Sequence, residues 1–168
     1  MKKTLLIVLF LVFYLVVSAQ DKMIHIKGSN YLMSSISYIN NNLKVGVGYN
    51  YQINQYFAYN LNLNFINSKT SYTKADYYNI NNGINYKLFT SKNAFFLIGC
   101  DFKFGIENLK NDIEKETFYS TGLNIHLRAE LFIYKNIGIF LMPSKELTFK
   151  SKLLENPFFI QIGVIGKI

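Results

Sequence analysis

In the second half of the chain, apolar side chains return at every second position. Between Ala94 and Glu107, Phe96, Ile98, Cys100, Phe102, Phe104 and Ile106 share one side, and Phe95, Leu97, Gly99, Asp101, Lys103, Gly105 and Glu107 share the other. Successive strand side chains point to opposite faces, so this period of two predicts a β-strand with one apolar face and one largely small or charged face. The stretch Tyr119 to Ile133 repeats the rule: Thr121, Leu123, Ile125, Leu127 and Leu131 oppose Gly122, Asn124, His126, Arg128 and Glu130. A helix would scatter His126, Arg128 and Glu130 around its cylinder. A strand lines them up.

The same alternation runs through most of the remaining sequence. Leu43, Val45, Val47, Tyr49, Tyr51 and Ile53 oppose Lys44, Gly46, Gly48, Asn50 and Gln52, and Phe57, Tyr59, Leu61, Leu63 and Phe65 oppose Ala58, Asn60, Asn62 and Asn64. Ile80, Ile84, Tyr86 and Leu88 oppose Asn79, Asn81, Gly83, Asn85 and Lys87, with Asn82 the one lapse on the apolar side. Ile137, Ile139, Leu141, Leu147 and Phe149 form a seventh run, blurred by Pro143 and Lys145, and Phe158, Ile160, Ile162 and Val164 an eighth, opposite Gln161 and Gly163. A first strand falls somewhere within Ile24 to Ile39.

About eight antiparallel strands can bury their apolar faces, as a soluble barrel or sandwich does, or turn them to lipid. The polar faces decide between these. They carry Gly and Asn with isolated charges, where a soluble sheet carries many Lys and Glu. Eight strands enclose a space just wide enough for side chains, which small and polar residues fill. The expected fold is therefore all-β, a small antiparallel transmembrane β-barrel. Thirteen Tyr and fifteen Phe suit aromatic girdles at the two interfaces. Connection lengths agree: Asn54-Gln55, Thr90 to Asn93 and Lys135-Asn136 read as short turns. Asn67 to Asp76, Asn108 to Glu116 and Ser151 to Asn156 alternate with them as longer loops, the short Asn40 to Asn42 being the exception.

The N-terminus adds a location. Lys2 and Lys3 precede an apolar run from Leu5 to Val17, and Val17-Ser18-Ala19 is a small-residue cleavage site. Residues 1–19 thus read as a signal peptide cut between Ala19 and Gln20, and residues 20–168 as the barrel, in the outer membrane of a Gram-negative bacterium. The run is short for a spanning helix, and no later segment is long and apolar enough to be one. Cys100 is the single cysteine, so no internal disulfide is possible, and it falls on the apolar face as a filler.

The formal charge of +8 adds little, because the lysines are scattered along the chain and Arg128 is the lone arginine. The connection Asn108 to Glu116 carries Lys110, Asp112, Glu114, Lys115 and Glu116. Mixed in sign, it fits a protein partner better than nucleic acid. Asp101, Lys103, Glu107, Asn124, His126, Arg128 and Glu130 form a candidate polar network in the lumen, where charges need partners. No nucleophile elbow, phosphate loop or paired-carboxylate motif occurs, and His25 and His126 are few for a metal site. The reading is therefore non-enzymatic, with no cofactor, metal or small-molecule substrate, no direct nucleic-acid contact, and membrane lipid as the surrounding partner.

A family resemblance sharpens this. The runs Gly83-Ile84-Asn85-Tyr86-Lys87-Leu88, Ala94-Phe95-Phe96-Leu97-Ile98-Gly99, Gly122-Leu123 through Leu131, Lys135-Asn136-Ile137 through Phe149, and Gln161-Ile162-Gly163-Val164 resemble, in order and spacing, the TraO family of Bacteroides-type conjugative transposons. The likeness spans roughly Leu43 to Ile168. It implies an outer-membrane component of a conjugative DNA-transfer apparatus, with other proteins of that apparatus as partners. Two alternatives stand beside it: a free-standing OmpX- or OmpA-like barrel in adhesion or envelope integrity, and a soluble lipocalin-like carrier with the faces reversed.

Overall fold

A computed structural model describes residues 25–39, 42–69, 74–91, 93–110, 115–150 and 156–168; the proposed signal peptide and the Ala19–Gln20 cleavage site lie outside the described residues. Eight strands follow one another: β1 (Asn30–Ile39), β2 (Asn42–Gln52), β3 (Phe57–Lys69), β4 (Lys74–Thr90), β5 (Ala94–Lys110), β6 (Lys115–Phe132), β7 (Ile137–Lys150) and β8 (Phe158–Lys167). Each pairs antiparallel with the next, and β1 pairs with β8 to close the barrel. Closure removes every sheet edge, so each strand has a ladder partner on both sides.

The ladder also fixes the tilt. Ile168 donates its N–H to Asn30 O at 3.0 Å. The register then runs Asn30, Tyr51, Tyr59, Ile84, Cys100, Ile125, Lys145 and Phe158. One circuit therefore climbs ten residues along β8, from Ile168 to Phe158. An eight-stranded barrel with that stagger tilts its strands by about 40°.

Both described ends of the barrel sequence, Asn30 and Lys167, lie at one end together with the turns 53–56, 91–93 and 133–136. This is the turn end, and the opposite one is the loop end. Local chemistry makes the turns tight. Asn54 Oδ1 accepts the N–H groups of Tyr56 (2.8 Å) and Phe57 (2.9 Å), a side-chain imitation of a backbone turn. Ile133 N–H bonds Ile137 O at 3.0 Å across the 133–136 turn. In β7, Pro143 has no N–H to give, and the β6–β7 pairing lapses between Ala129↔Leu141 and His126↔Ser144.

The faces fall as the alternation predicts. Leu32, Val47, Ile84, Phe102, Leu127, Ile139 and Ile162 are exposed on the outside, and Cys100 is exposed there with them. Asn60, Asp101, Lys103, Asn124, Arg128 and Glu130 are buried inside. The lipocalin-like arrangement, with apolar faces inward, is not the one adopted.

Two expectations are corrected. The connections Asn67 to Asp76 and Asn108 to Glu116 are largely strand: β3 runs on to Lys69, β4 starts at Lys74, β5 ends at Lys110 and β6 starts at Lys115. Asn67 donates to Asp76 at 2.6 Å and Thr117 to Asn108 at 2.9 Å, so polar cross-strand pairs continue the hairpins where apolar alternation has stopped. The lumen is also less uniformly polar than its sequence suggests. At the turn end Tyr31, Met33, Phe95, Leu97, Phe132, Phe140, Met142 and Ile165 form a buried apolar cluster, and Ile66, Tyr77 and Phe159 form a smaller one toward the loop end.

Candidate functional site

Inward positions of all eight strands converge on the lumen, and there the charged side chains sort into three tiers. On the loop-end side, Glu146 of β7 accepts from Lys103 Nζ at 2.6 Å and from Lys44 Nζ at 3.2 Å. Lys103 also donates to Thr148 Oγ1 at 3.3 Å, and Lys44 Nζ lies 3.8 Å from the centre of the Phe159 ring. Tyr77 OH receives a hydrogen bond from Ser120 Oγ at 3.1 Å beside them. One carboxylate thus holds two ammonium groups that cross the barrel from β2 and β5.

The middle tier is built on Asp101 of β5. Asn60 Nδ2 donates to its Oδ1 at 2.5 Å and Asn124 Nδ2 to its Oδ2 at 3.0 Å. His126 Nδ1 stands 3.4 Å from the same Oδ2, and its Nε2 donates to Asn85 Oδ1 at 2.7 Å. Gly99 makes the ring's place: a Cβ there would collide with the Asn85 amide and the His126 imidazole.

At the turn end the tier centres on Glu130. His25 Nε2 meets Glu130 Oε2 at 2.7 Å, and His25 Nδ1 lies 2.9 Å from Gln52 Oε1. Arg128 Nε lies 2.7 Å from Glu130 Oε1 as an ion pair, although its N–H is not aligned on that oxygen. Arg128 Nη1 reaches Met33 Sδ at 3.2 Å. The His25 ring stacks on Tyr31 at 4.8 Å and packs against Phe95 at 4.3 Å, so the segment before β1 inserts into the turn end.

All seven residues expected in the lumen are buried there, but they do not form one network. Lys103 belongs to the first tier, Asp101, Asn124 and His126 to the second, Arg128 and Glu130 to the third. Glu107 is buried further toward the loop end. The expected network did not include His25, Lys44, Asn60, Asn85 or Glu146, although Lys44, Asn60 and Asn85 fall on the faces read as filling the lumen. Lys44 and Glu146 lie 102 residues apart and meet only because the barrel closes. His25 precedes the first strand, where no alternation signals its direction.

The charges balance. Lys44, Lys87, Lys103 and Arg128 face Asp101, Glu107, Glu130 and Glu146, four cations against four carboxylates among the buried described residues. Buried charges persist only when paired in this way. No group of three or more His, Cys, Asp or Glu side chains able to hold a metal occurs among the described residues. What the arrangement does chemically is fill and cross-link the interior.

Similarity to known folds follows from this geometry. The N-terminal β-barrel domain of Pseudomonas aeruginosa OprF superposes with a TM-score of 0.64 at 10% identity, over 84% of this chain and 98% of that one. By fold, this is a small outer-membrane-type barrel. Neisserial surface protein A matches with a TM-score of 0.62 at 10% identity, over 83% and 94% of the two chains. Ail, the attachment invasion locus protein of Yersinia pestis, matches at 0.56 and 12% identity, over 85% of this chain and 100% of that one. No protein-family profile matches the chain, and no curated protein sequence matches it.

Proposed function

We propose that the chain is a non-enzymatic outer-membrane barrel that serves as a closed structural anchor. Its turn end faces the periplasm and its loop end the exterior. The observation that carries this reading is the lumen: three tiers of paired charges and an apolar cluster span it from Glu146 to Tyr31. An eight-stranded barrel filled by its own side chains has no wide water channel. A partner must therefore be met at the ends of the barrel and not through it. The outward apolar face supports membrane placement, as do the fold relatives from outer membranes.

Within that reading, the resemblance of Leu43 to Ile168 to the TraO family favours an apparatus that carries DNA between cells. A single DNA strand is far wider than this lumen, so the barrel would act there as an anchoring or docking piece. A free-standing surface barrel is the second reading, favoured by the likeness to an attachment invasion locus protein. Short connections at the loop end leave little surface for adhesion, which tells against it.

The test pairs two measurements on one strain. Purified barrel in planar bilayers should show no conductance at the level of a large pore; such conductance would reject the closed lumen. Deleting the gene should lower conjugative transfer, with recovery on complementation. Unchanged transfer would remove the conjugation role while leaving the anchor intact.

A further inference from the structure

Strand β4 turns one amide to the outside of the barrel. Its outward residues include Tyr78, Ile80, Asn82, Ile84 and Tyr86, all of them exposed. Asn82 is paired with Leu61 of β3 and Phe102 of β5, both on the same outer face. The Asn82 amide has no hydrogen-bond partner among the described residues.

Its depth follows from the tyrosines. Tyr78 and Tyr86 stand four residues to either side of it, and amphipathic rings of this kind mark the two membrane interfaces. Four residues of strand span about 13 Å at about 3.3 Å each, or about 10 Å along the barrel axis at a tilt of about 40°. The two rings are thus about 20 Å apart in depth, against an apolar band about 25 Å tall. Asn82 falls at the middle of that band. An amide in hydrocarbon without a partner is costly, and the ester carbonyls of lipid lie at the interfaces, out of its reach.

The surface around the amide is also low. Between Tyr78 and Leu88, Asn82 is the smallest outward side chain of β4, and between Phe96 and Ile106, Cys100 is the smallest of β5. Cys100 is exposed and pairs with Ile84, while Asn82 pairs with Phe102. Asn82 and Cys100 are therefore diagonal neighbours in the ladder, about 7–8 Å apart. Small side chains let two membrane-embedded surfaces approach closely enough for polar groups to meet.

We propose that the outer face of β4 and β5 is a dimer interface, in which the Asn82 amides of two copies of this chain hydrogen-bond each other. A second copy is favoured by self-complementarity. A primary amide carries both donor N–H groups and an acceptor oxygen, so two of them satisfy each other reciprocally. Two barrels inserted in the same sense are related by a two-fold axis along the membrane normal, and that axis keeps every residue at its own depth. Asn82 therefore meets the second copy's Asn82, with Cys100 beside it. In a solitary barrel the amide faces lipid, and pairing relieves that cost. This inference rests on the membrane placement proposed above.

The experiment treats outer membranes from cells producing the full chain with a short bis-maleimide, which joins thiols, Cys100 being the single cysteine. The same treatment is applied to purified barrel in phosphatidylcholine vesicles. Wild type should give a product of two copies, identified by mass spectrometry. Asn82→Leu should lower its yield about tenfold or more, and Asn82→Gln, which keeps the amide, should retain most of it. Cys100→Ser with Ile162→Cys moves the thiol to an exposed position on β8, away from the proposed interface, and should give little product. Absence of the two-copy product from wild type overturns the proposal, and so does an equal yield from a folded Asn82→Leu variant. An equal yield from the Ile162→Cys variant shows random collision and overturns it even if Asn82→Leu fails to fold. A product joining the chain to a different protein in cells, with no two-copy product from purified barrel, overturns it in favour of that other partner. Gel mobility before and after heating separates the two failures. A chain with no heat-modifiable form defeats the barrel reading itself, whereas a heat-modifiable barrel that stays single defeats only this inference.

Discussion

Glu146 is the carboxylate shared by two buried lysines, Lys44 and Lys103. Glu146→Gln keeps the volume and removes the charge, leaving Lys44 and Lys103 buried without their shared carboxylate. Breaking a buried pair in this way costs about 3–5 kcal/mol. The variant should unfold at distinctly lower urea concentration in lipid vesicles, followed by loss of the fast-migrating unheated band. An unchanged midpoint would mean that the lysines find other partners. Asn82 poses the opposite case. It is exposed on the outer face, in one register row with Leu61 and Phe102, so its amide meets lipid. An amide without a partner in an apolar setting costs about 1–3 kcal/mol, and Asn82→Leu should stabilise the barrel by that amount in the same assay. No gain would show that the amide has a partner in the membrane.

Strand β6 offers a ruler for membrane depth, because its outward residues run from Thr117 near the loop end through Ile125 to Leu131 near the turn end. An arginine facing lipid costs about 2–4 kcal/mol at the midplane and about 0–1 kcal/mol near the interface. Ile125→Arg should therefore destabilise strongly and Thr117→Arg hardly at all, both read as folding free energies in lipid vesicles. Equal penalties would place the membrane band elsewhere or nowhere on this face. The existence and facing of such strands were legible in the sequence because lipid outside and side chains inside impose opposite chemistry at alternate positions. Strand limits were not legible at the loop end. There the outer positions of β3 to β6 turn polar while inner positions such as Ile66, Ala75 and Tyr77 are apolar or aromatic, so the apolar-outside alternation breaks down while the backbone ladder continues through Asn67, Asp76, Asn108 and Thr117. The candidate lumen residues were legible for the same reason of parity. Their partners were not: Lys44 with Glu146 and His25 with Glu130 join positions that only closure brings together.

At the scale of the whole molecule, one chain reconciles an apolar exterior with a charged interior by closing on itself. The ladder from β1 through β8 satisfies the strand backbones without solvent, as a lipid environment requires. Among the buried described residues of the interior, four Lys and Arg side chains stand against four carboxylates. On the proposed reading, the same closure leaves the ends of the barrel as the places where a partner is met. The measurement that bears most directly on the account is fractionation of cells producing the full chain, combined with gel mobility of the extracted protein before and after heating. The protein should sediment with the outer membrane, require detergent for release, and migrate faster unheated than heated. Recovery in the soluble periplasmic fraction without detergent, with a single mobility at both temperatures, would contradict the account.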